Sequence, residues 1–231
     1  MDELSIFNNK PMDGLEFCKK VYSLLENIRS TSKGISDLRM RASIIEKKLL
    51  EELIPICKYI QTKYRVGRYL TVCWVNGNQQ FDAKVTEKGS YIEQGAFPEN
   101  SYLEVTCSVH PNDYLARERL DKDGYCYGYG GLRRNKDGSI ESVATSYSGL
   151  EFIKEDSEYI VKIIEKKCNI NYPENTTLIV QSSLSTVYSP EEWNKVIEHV
   201  KNSIMTFPFK EIFICDSNHI YTGNINDFEK S

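Results

Sequence analysis

The sequence predicts an α/β protein: a mixed central sheet, begun by an antiparallel three-strand meander, with helices on both faces. Three observations predict it. Over residues 13–63 apolar residues recur at three- and four-residue steps, as amphipathic helices require. Over 68–109 the period shortens to two, in stretches rich in β-branched and aromatic residues. Beyond 110, helical patterns alternate with short, continuously apolar runs of the kind buried on both faces of a sheet.

Residues 1–12 read as a loose arm. Leu15, Cys18, Val21, Leu24 and Leu25 then share one helical face, and a break at Ser30-Thr31-Ser32-Lys33-Gly34 separates this helix from a second. Leu38, Ile44, Ile45, Leu49, Leu53 and Ile56 form the stripe of the second, in which Pro55 marks a kink or the last turns. "RYLTVCWVNG" (68–77) is a strand closed by an Asn-Gly turn, and "QFDAKVTEKG" (80–89) follows at hairpin distance. "SYLEVTCSV" (101–109) is the third strand. Leu103, Val105, Cys107 and Val109 fall on one face; Tyr102, Glu104, Thr106 and Ser108 fall on the other.

"DYLARERLDKDG" (113–124) is a helix with Asn112 or Asp113 as N-cap and Gly124 as its stop. The Gly- and Tyr-rich stretch 125–149, with the turn dipeptide Asp137-Gly138, reads as a loop or hairpin. Residues 150–168 form a helix and "TTLIVQSS" (176–183) a buried strand. Ser189 and Pro190 open another helix, and "FKEIFICDSNHIYTG" closes with one or two strands. The expected organisation is a helical region, 1–66, packed on a core, 67–231, that carries an inserted helix and hairpin at about 111–148.

The composition is that of an ordinary globular chain: 231 residues, 40% hydrophobic and 27% charged. A formal charge of -4 and a pI near 5.6 announce no polyanion partner, although an acidic protein can carry a local basic groove. The seven cysteines are scattered and form no CxxC pair, so a disulfide framework or structural zinc is not expected and a reducing cytoplasm fits. The N-terminus has no basic or apolar signal pattern, and no run of about 18 apolar residues exists to span a membrane.

The chemistry concentrates on the meander, where Asp82, Glu87 and Glu104 are the acidic positions. Asp82 and Lys84 share a face, as do Glu104 and Thr106. If the two strands pair with these faces aligned, the four residues form one polar patch. Two carboxylates side by side repel, and hard oxygen ligands with open positions suit Mg²⁺ or Mn²⁺. Such an ion generates hydroxide and stabilises a transferring phosphate.

Asp82 on the second strand, Glu104 on the third and a crossover helix, in the order α-β-β-β-α-β, resemble the PD-(D/E)xK nuclease superfamily. The resemblance covers roughly residues 35–220 without 111–148. It implies a restriction-endonuclease-like core, Asp82 and Glu104 as ligands of Mg²⁺ or Mn²⁺, and hydrolysis of phosphodiesters in DNA, in a restriction or phage-defence setting. Glu46 is the candidate acid on the preceding helix. The chain departs from the pattern twice. Phe81 stands where Pro often precedes the Asp, and Thr106 stands where the family has Lys. Threonine hydrogen-bonds but supplies no positive charge. Lys84, or Lys162 or Lys166 on the helix over 150–168, are the candidates for the missing cation. Arg117, Arg133, Arg134 and Lys162 are candidate nucleic-acid contacts, with the neighbouring tyrosines offering faces to stack on bases.

Other readings stay open. The patch can be a plain solvated sheet surface. The chain can be a nuclease-fold protein without catalysis, serving as an interaction module for a protein partner or as a homodimer. His110 reads as a general base or phosphate contact, or as an ordinary loop residue. Arg117 and Arg119 read as phosphate contacts, or as partners of Glu118 or Asp121.

Overall fold

A computed structural model describes residues 3–144, 149–183, 189–218 and 220–226. A 3-10 turn at Glu3–Ile6 leads into a two-residue strand β1 (Met12–Asp13) and helix α1 (Gly14–Arg29). Helices α2 (Gly34–Met40) and α3 (Ile44–Lys48) follow, then a π-helical turn, Leu49–Leu53, and α4 (Ile54–Lys63). The meander is β2 (Tyr69–Trp74), β3 (Ala83–Lys88), the short helix α5 (Ser90–Glu93) and β4 (Asn100–Ser108). Next come α6 (Asp113–Asp123) and the hairpin β5 (Leu132–Arg134) and β6 (Ile140–Ser142). The chain ends with α7 (Gly149–Cys168), β7 (Thr176–Ser182), α8 (Pro190–Ser203), β8 (Glu211–Asp216) and β9 (Thr222–Asn226).

The fold is the expected mixed α/β sheet with helices on both faces. Seven strands run in the order β1-β2-β3-β4-β7-β8-β9. The meander pairs are antiparallel, whereas β4–β7 and β7–β8 are parallel. A parallel neighbour needs a crossover, and α7 and α8 supply the two crossovers.

Alternation along the central strands shows how two layers share one sheet. In β7, Leu178 and Val180 face a cluster built from α7 and α8, and so do Ile212 and Ile214 of β8. Ile179, Phe213, Leu103 and Val105 face the opposite way, into a cluster with α1, the π-turn and α4. The α7–α8 layer covers only the parallel half of its face. Over the meander, Tyr69, Lys84 and Lys88 on that face are exposed.

Several local expectations change. Residues 3–12 are not a loose arm. Leu4 and Phe7 are buried, Phe7 meets Phe17 edge-on with ring centroids 5.7 Å apart, and Asn9 N donates to Trp74 O at 2.8 Å. The burial of two apolar side chains pins a segment too short to show periodicity. Strand β2 ends at Trp74, so Asn76-Gly77 lies within a wider loop over 75–82. Gln79 holds that loop by donating from Nε2 to Val75 O (2.8 Å) and Phe81 O (2.6 Å). Three signals sit where the sequence puts them. Gly124 ends α6 at φ +77, Ser189 and Glu192 form a reciprocal cap on α8, and Gly138 turns the β5–β6 hairpin at φ +85.

Gly34 opens α2 under close constraint. A Cβ there would lie 1.8 Å from the Ile28 carbonyl oxygen. Gly34→Ala is therefore expected to destabilise by about 1–3 kcal/mol, the range for forced overpacking. A urea midpoint lowered at constant m-value would show it.

Candidate active site

The site begins with a proline. Pro55 has no N–H, so the Glu51 carbonyl four residues earlier loses its helical donor. The chain answers with the π-turn Leu49–Leu53, and the freed carbonyls are taken from the sheet side. Cys107 Sγ donates to Glu51 O at 3.7 Å, and Gln181 Nε2 to Leu50 O at 3.0 Å. The widened turn brings Glu51 and Glu52 over the C-terminal half of β4. Glu52 is held there by Lys48 Nζ at 2.5 Å and by Trp74 Nε1 at 3.2 Å.

Asp82 sits one step beyond the last β3–β4 register pair, Ala83–Leu103, and so lies opposite Glu104. Its backbone N–H donates to Leu103 O (2.8 Å), and its Oδ2 accepts the Val105 N–H (2.7 Å). A side chain thus replaces the strand that would otherwise continue along β4. Glu104 Oε1 accepts from Lys167 Nζ of α7 at 2.5 Å and, more distantly, from Tyr172 Oη at 3.5 Å. Burial pushes the Asp82 carboxyl up to about 7, and the nearby charges of Glu52 and then Glu104 add to the rise. A carboxyl with that pKa is partly protonated at neutral pH. It is also the kind of group whose proton a divalent cation displaces.

Beside Asp82 the edge of β4 is uncovered and opens into a cleft of about 510 Å³. Val105, Thr106 and Cys107 line its floor; Lys47, Glu51 and Glu52 form one wall, and Asp113, Tyr114 and Arg117 of α6 the other. Arg117 is paired with Asp113. Arg41 reaches Glu51 at 3.6 Å.

The structure brings Asp82, Glu104 and Thr106 to one strand-edge region, puts Arg117 on a wall of the adjoining cleft and disperses the other candidates. Lys84 is exposed, opposite Tyr102 and Cys73 on its neighbouring strands. The cation on Glu104 is Lys167, rather than Lys84, Lys162 or Lys166. Lys162 and Lys166 line a separate cavity of about 280 Å³ on the α7 side of β4, and Lys162 lies 5.5 Å from the Tyr159 ring. Glu46 caps its own helix, accepting from Ser43 N and Oγ at 2.8 and 2.5 Å, and the helical-region acid near Asp82 is Glu52 instead. Glu87 lies on the opposite face of β3, fully buried against Arg68.

Arg134 pairs with Glu118 at 2.5 Å, and Arg119 with Asp123 at 2.9 Å; Arg133 is exposed on β5. His110 lines the cleft and is held by its neighbours. Its Nδ1 accepts from Asn112 N (2.9 Å), its ring stacks on Tyr129 at 4.9 Å, and Glu155 lies 3.7 Å from Nε2. Burial lowers its pKa, which keeps the neutral ring favoured.

Among the described residues, no group of three or more His, Cys, Asp or Glu side chains is arranged to hold a metal ion. What remains is a two-carboxylate set, Asp82 and Glu104. Its hard oxygens suit Mg²⁺, which keeps several of its waters. Among the described residues, no helix is long and apolar enough to cross a membrane. No family model, curated protein or solved structure matches the chain.

Proposed function

We propose that Asp82 and Glu104 hold a Mg²⁺ or Mn²⁺ ion and that the protein hydrolyses phosphodiester bonds of DNA at the mouth of the adjoining cleft. The observation that carries this reading is the cross-strand pairing of Asp82 with Glu104. It lies at the edge of a meander whose third strand is joined by a crossover helix to a parallel neighbour. That is the placement of acids and strands that the resemblance to PD-(D/E)xK nucleases implies. When bound, the ion would activate water and take up charge on the phosphate. Lys167 supplies the positive charge that Thr106 lacks, from α7 instead of β4. Glu52, on the π-turn, lies outside that pair, and its charge adds to the rise in the Asp82 pKa. Lys47 and Arg117 give the cleft cations for a phosphate backbone.

A second reading rests on the same side chains. Lys48 and Lys167 already neutralise Glu52 and Glu104, which suits a nuclease-like fold serving as an interaction module. A cleavage assay separates the two. With Mn²⁺ and mixed single- and double-stranded DNA, the wild type is expected to cut, and Glu104→Gln to lose at least a hundredfold while retaining its circular dichroism spectrum. Equal cutting by Glu104→Gln, or none by the wild type across divalent metals, would favour the module.

A further inference from the structure

We propose that a second pocket, at the far end of β3 from Asp82, binds a small oxyanion, a carboxylate or phosphate group, on the ammonium of Lys210. The pocket measures about 330 Å³ and is lined by Lys63, Arg68, Ala96, Phe97, Lys210, Glu211 and Asn226. Its walls come from the end of α4, the start of β2, the loop before β4, the start of β8 and the end of β9. Five residue steps lie between Asp82 and Glu87, about 17 Å at strand rise, so this pocket is distinct from the cleft.

The charges in and around it do not balance. Arg68 is committed to Glu87 through two bonds, at 2.5 and 2.9 Å. Lys63 is committed to Glu211 at 2.7 Å. Glu211 also accepts from Tyr59 Oη at 3.0 Å and, more distantly, from Thr177 Oγ1 at 3.5 Å. Both carboxylates are thereby used by other donors. Lys210 is left as the third cation against two anions, and its Nζ is buried with no hydrogen-bond partner among the described residues.

Its main chain cannot swing away, because Lys210 N donates to Thr176 O at 2.8 Å. A buried ammonium without an acceptor is costly. Water can satisfy its hydrogen bonds but not its charge; one oxyanion satisfies both. Phe97 supports the cations: its ring centroid is 3.8 Å from the Arg68 guanidinium and 5.7 Å from Lys210 Nζ.

Desolvation lowers the Lys210 pKa, and Arg68 and Lys63 oppose its charge while Glu87 and Glu211 favour it. Binding of an anion is thus expected to weaken as pH rises towards the ordinary lysine range, where the ammonium is lost.

The test is calorimetric titration of the full chain with sodium phosphate and, separately, sodium acetate, against sodium chloride. Saturable binding of phosphate or acetate, one per chain, is expected; which of the two saturates names the class. Lys210→Met is expected to lose at least tenfold in affinity, Lys210→Arg to keep binding, and Asp82→Asn to leave it unchanged. Removing the unpaired ammonium is expected to leave the melting temperature of Lys210→Met equal or higher, and Lys210→Gln serves as a second neutral variant. No saturable binding of either anion to the wild type, or equal binding by both neutral variants, would overturn the proposal.

Discussion

Glu87→Ala is expected to cost on the order of 3–5 kcal/mol of folding stability, the range for breaking a buried ion pair from one side. Globular domains carry only about 5–15 kcal/mol in total, so the variant should be largely unfolded under mild denaturant. The reason lies in what is left behind. The side chains of Arg68 and Glu87 are 3% and 0% exposed. Without Glu87 the guanidinium keeps its desolvation but loses both hydrogen bonds. Replacing both partners with apolar residues, Arg68→Met with Glu87→Leu, should recover most of the loss, because no charge is then stranded. Urea unfolding followed by tryptophan fluorescence measures both variants. A double variant as unstable as the single one would show that the pair contributes more than its charges.

Asp82→Asn is expected to act in the opposite direction. Asp82 ionises near 7 in the folded chain, against about 3.9 when unfolded. Between those values the folded state binds the extra proton, so its contribution to stability falls as pH rises and is fully unfavourable above about 7. Asparagine carries no charge and still offers an oxygen to the Val105 N–H. The variant should gain on the order of 2–4 kcal/mol over the wild type at pH 8 and much less at pH 4. It should also lose divalent-cation binding and any cleavage that depends on it. Denaturant curves at the two pH values read the first effect directly. A variant that is less stable at pH 8 would mean that the Asp82 carboxylate itself holds the β4 edge together.

The contrast between these two acids marks what could be read from the chain. Both lie in the same strand region, and the two-residue period puts them on different faces: Glu87 with Ala83 and Val85, Asp82 with Lys84. The hairpin register brings Asp82 opposite Glu104, so the juxtaposition of these two acids was legible in the sequence. So was the sheet, because Leu178 and Val180 on one face and Ile179 on the other leave only a doubly covered strand.

The partners were less legible because they depend on distant packing. Glu52 reaches the site only because Pro55 forces a π-turn, to whose carbonyls Cys107 and Gln181 donate. Lys167, unlike Lys162 or Lys166, meets Glu104 because buried Ile160 and Ile164 set how α7 is turned on the sheet, and one residue rotates a helix by about 100°. Nothing local to Glu87 announces Arg68, 19 residues earlier. The proline and the Glu51-Glu52 pair in an apolar stretch were the signals that could have drawn attention to the turn.

The cation site is tested most directly by a carbon-13 NMR titration of the Asp82 side-chain carboxyl, with and without Mg²⁺. A midpoint near 7 is expected in the absence of the ion, and a fall of at least two pH units when millimolar Mg²⁺ displaces the proton. A midpoint in the ordinary aspartate range that Mg²⁺ leaves unchanged would contradict it. Asp82 would then be a structural acceptor for Val105 and not the centre of a cation site.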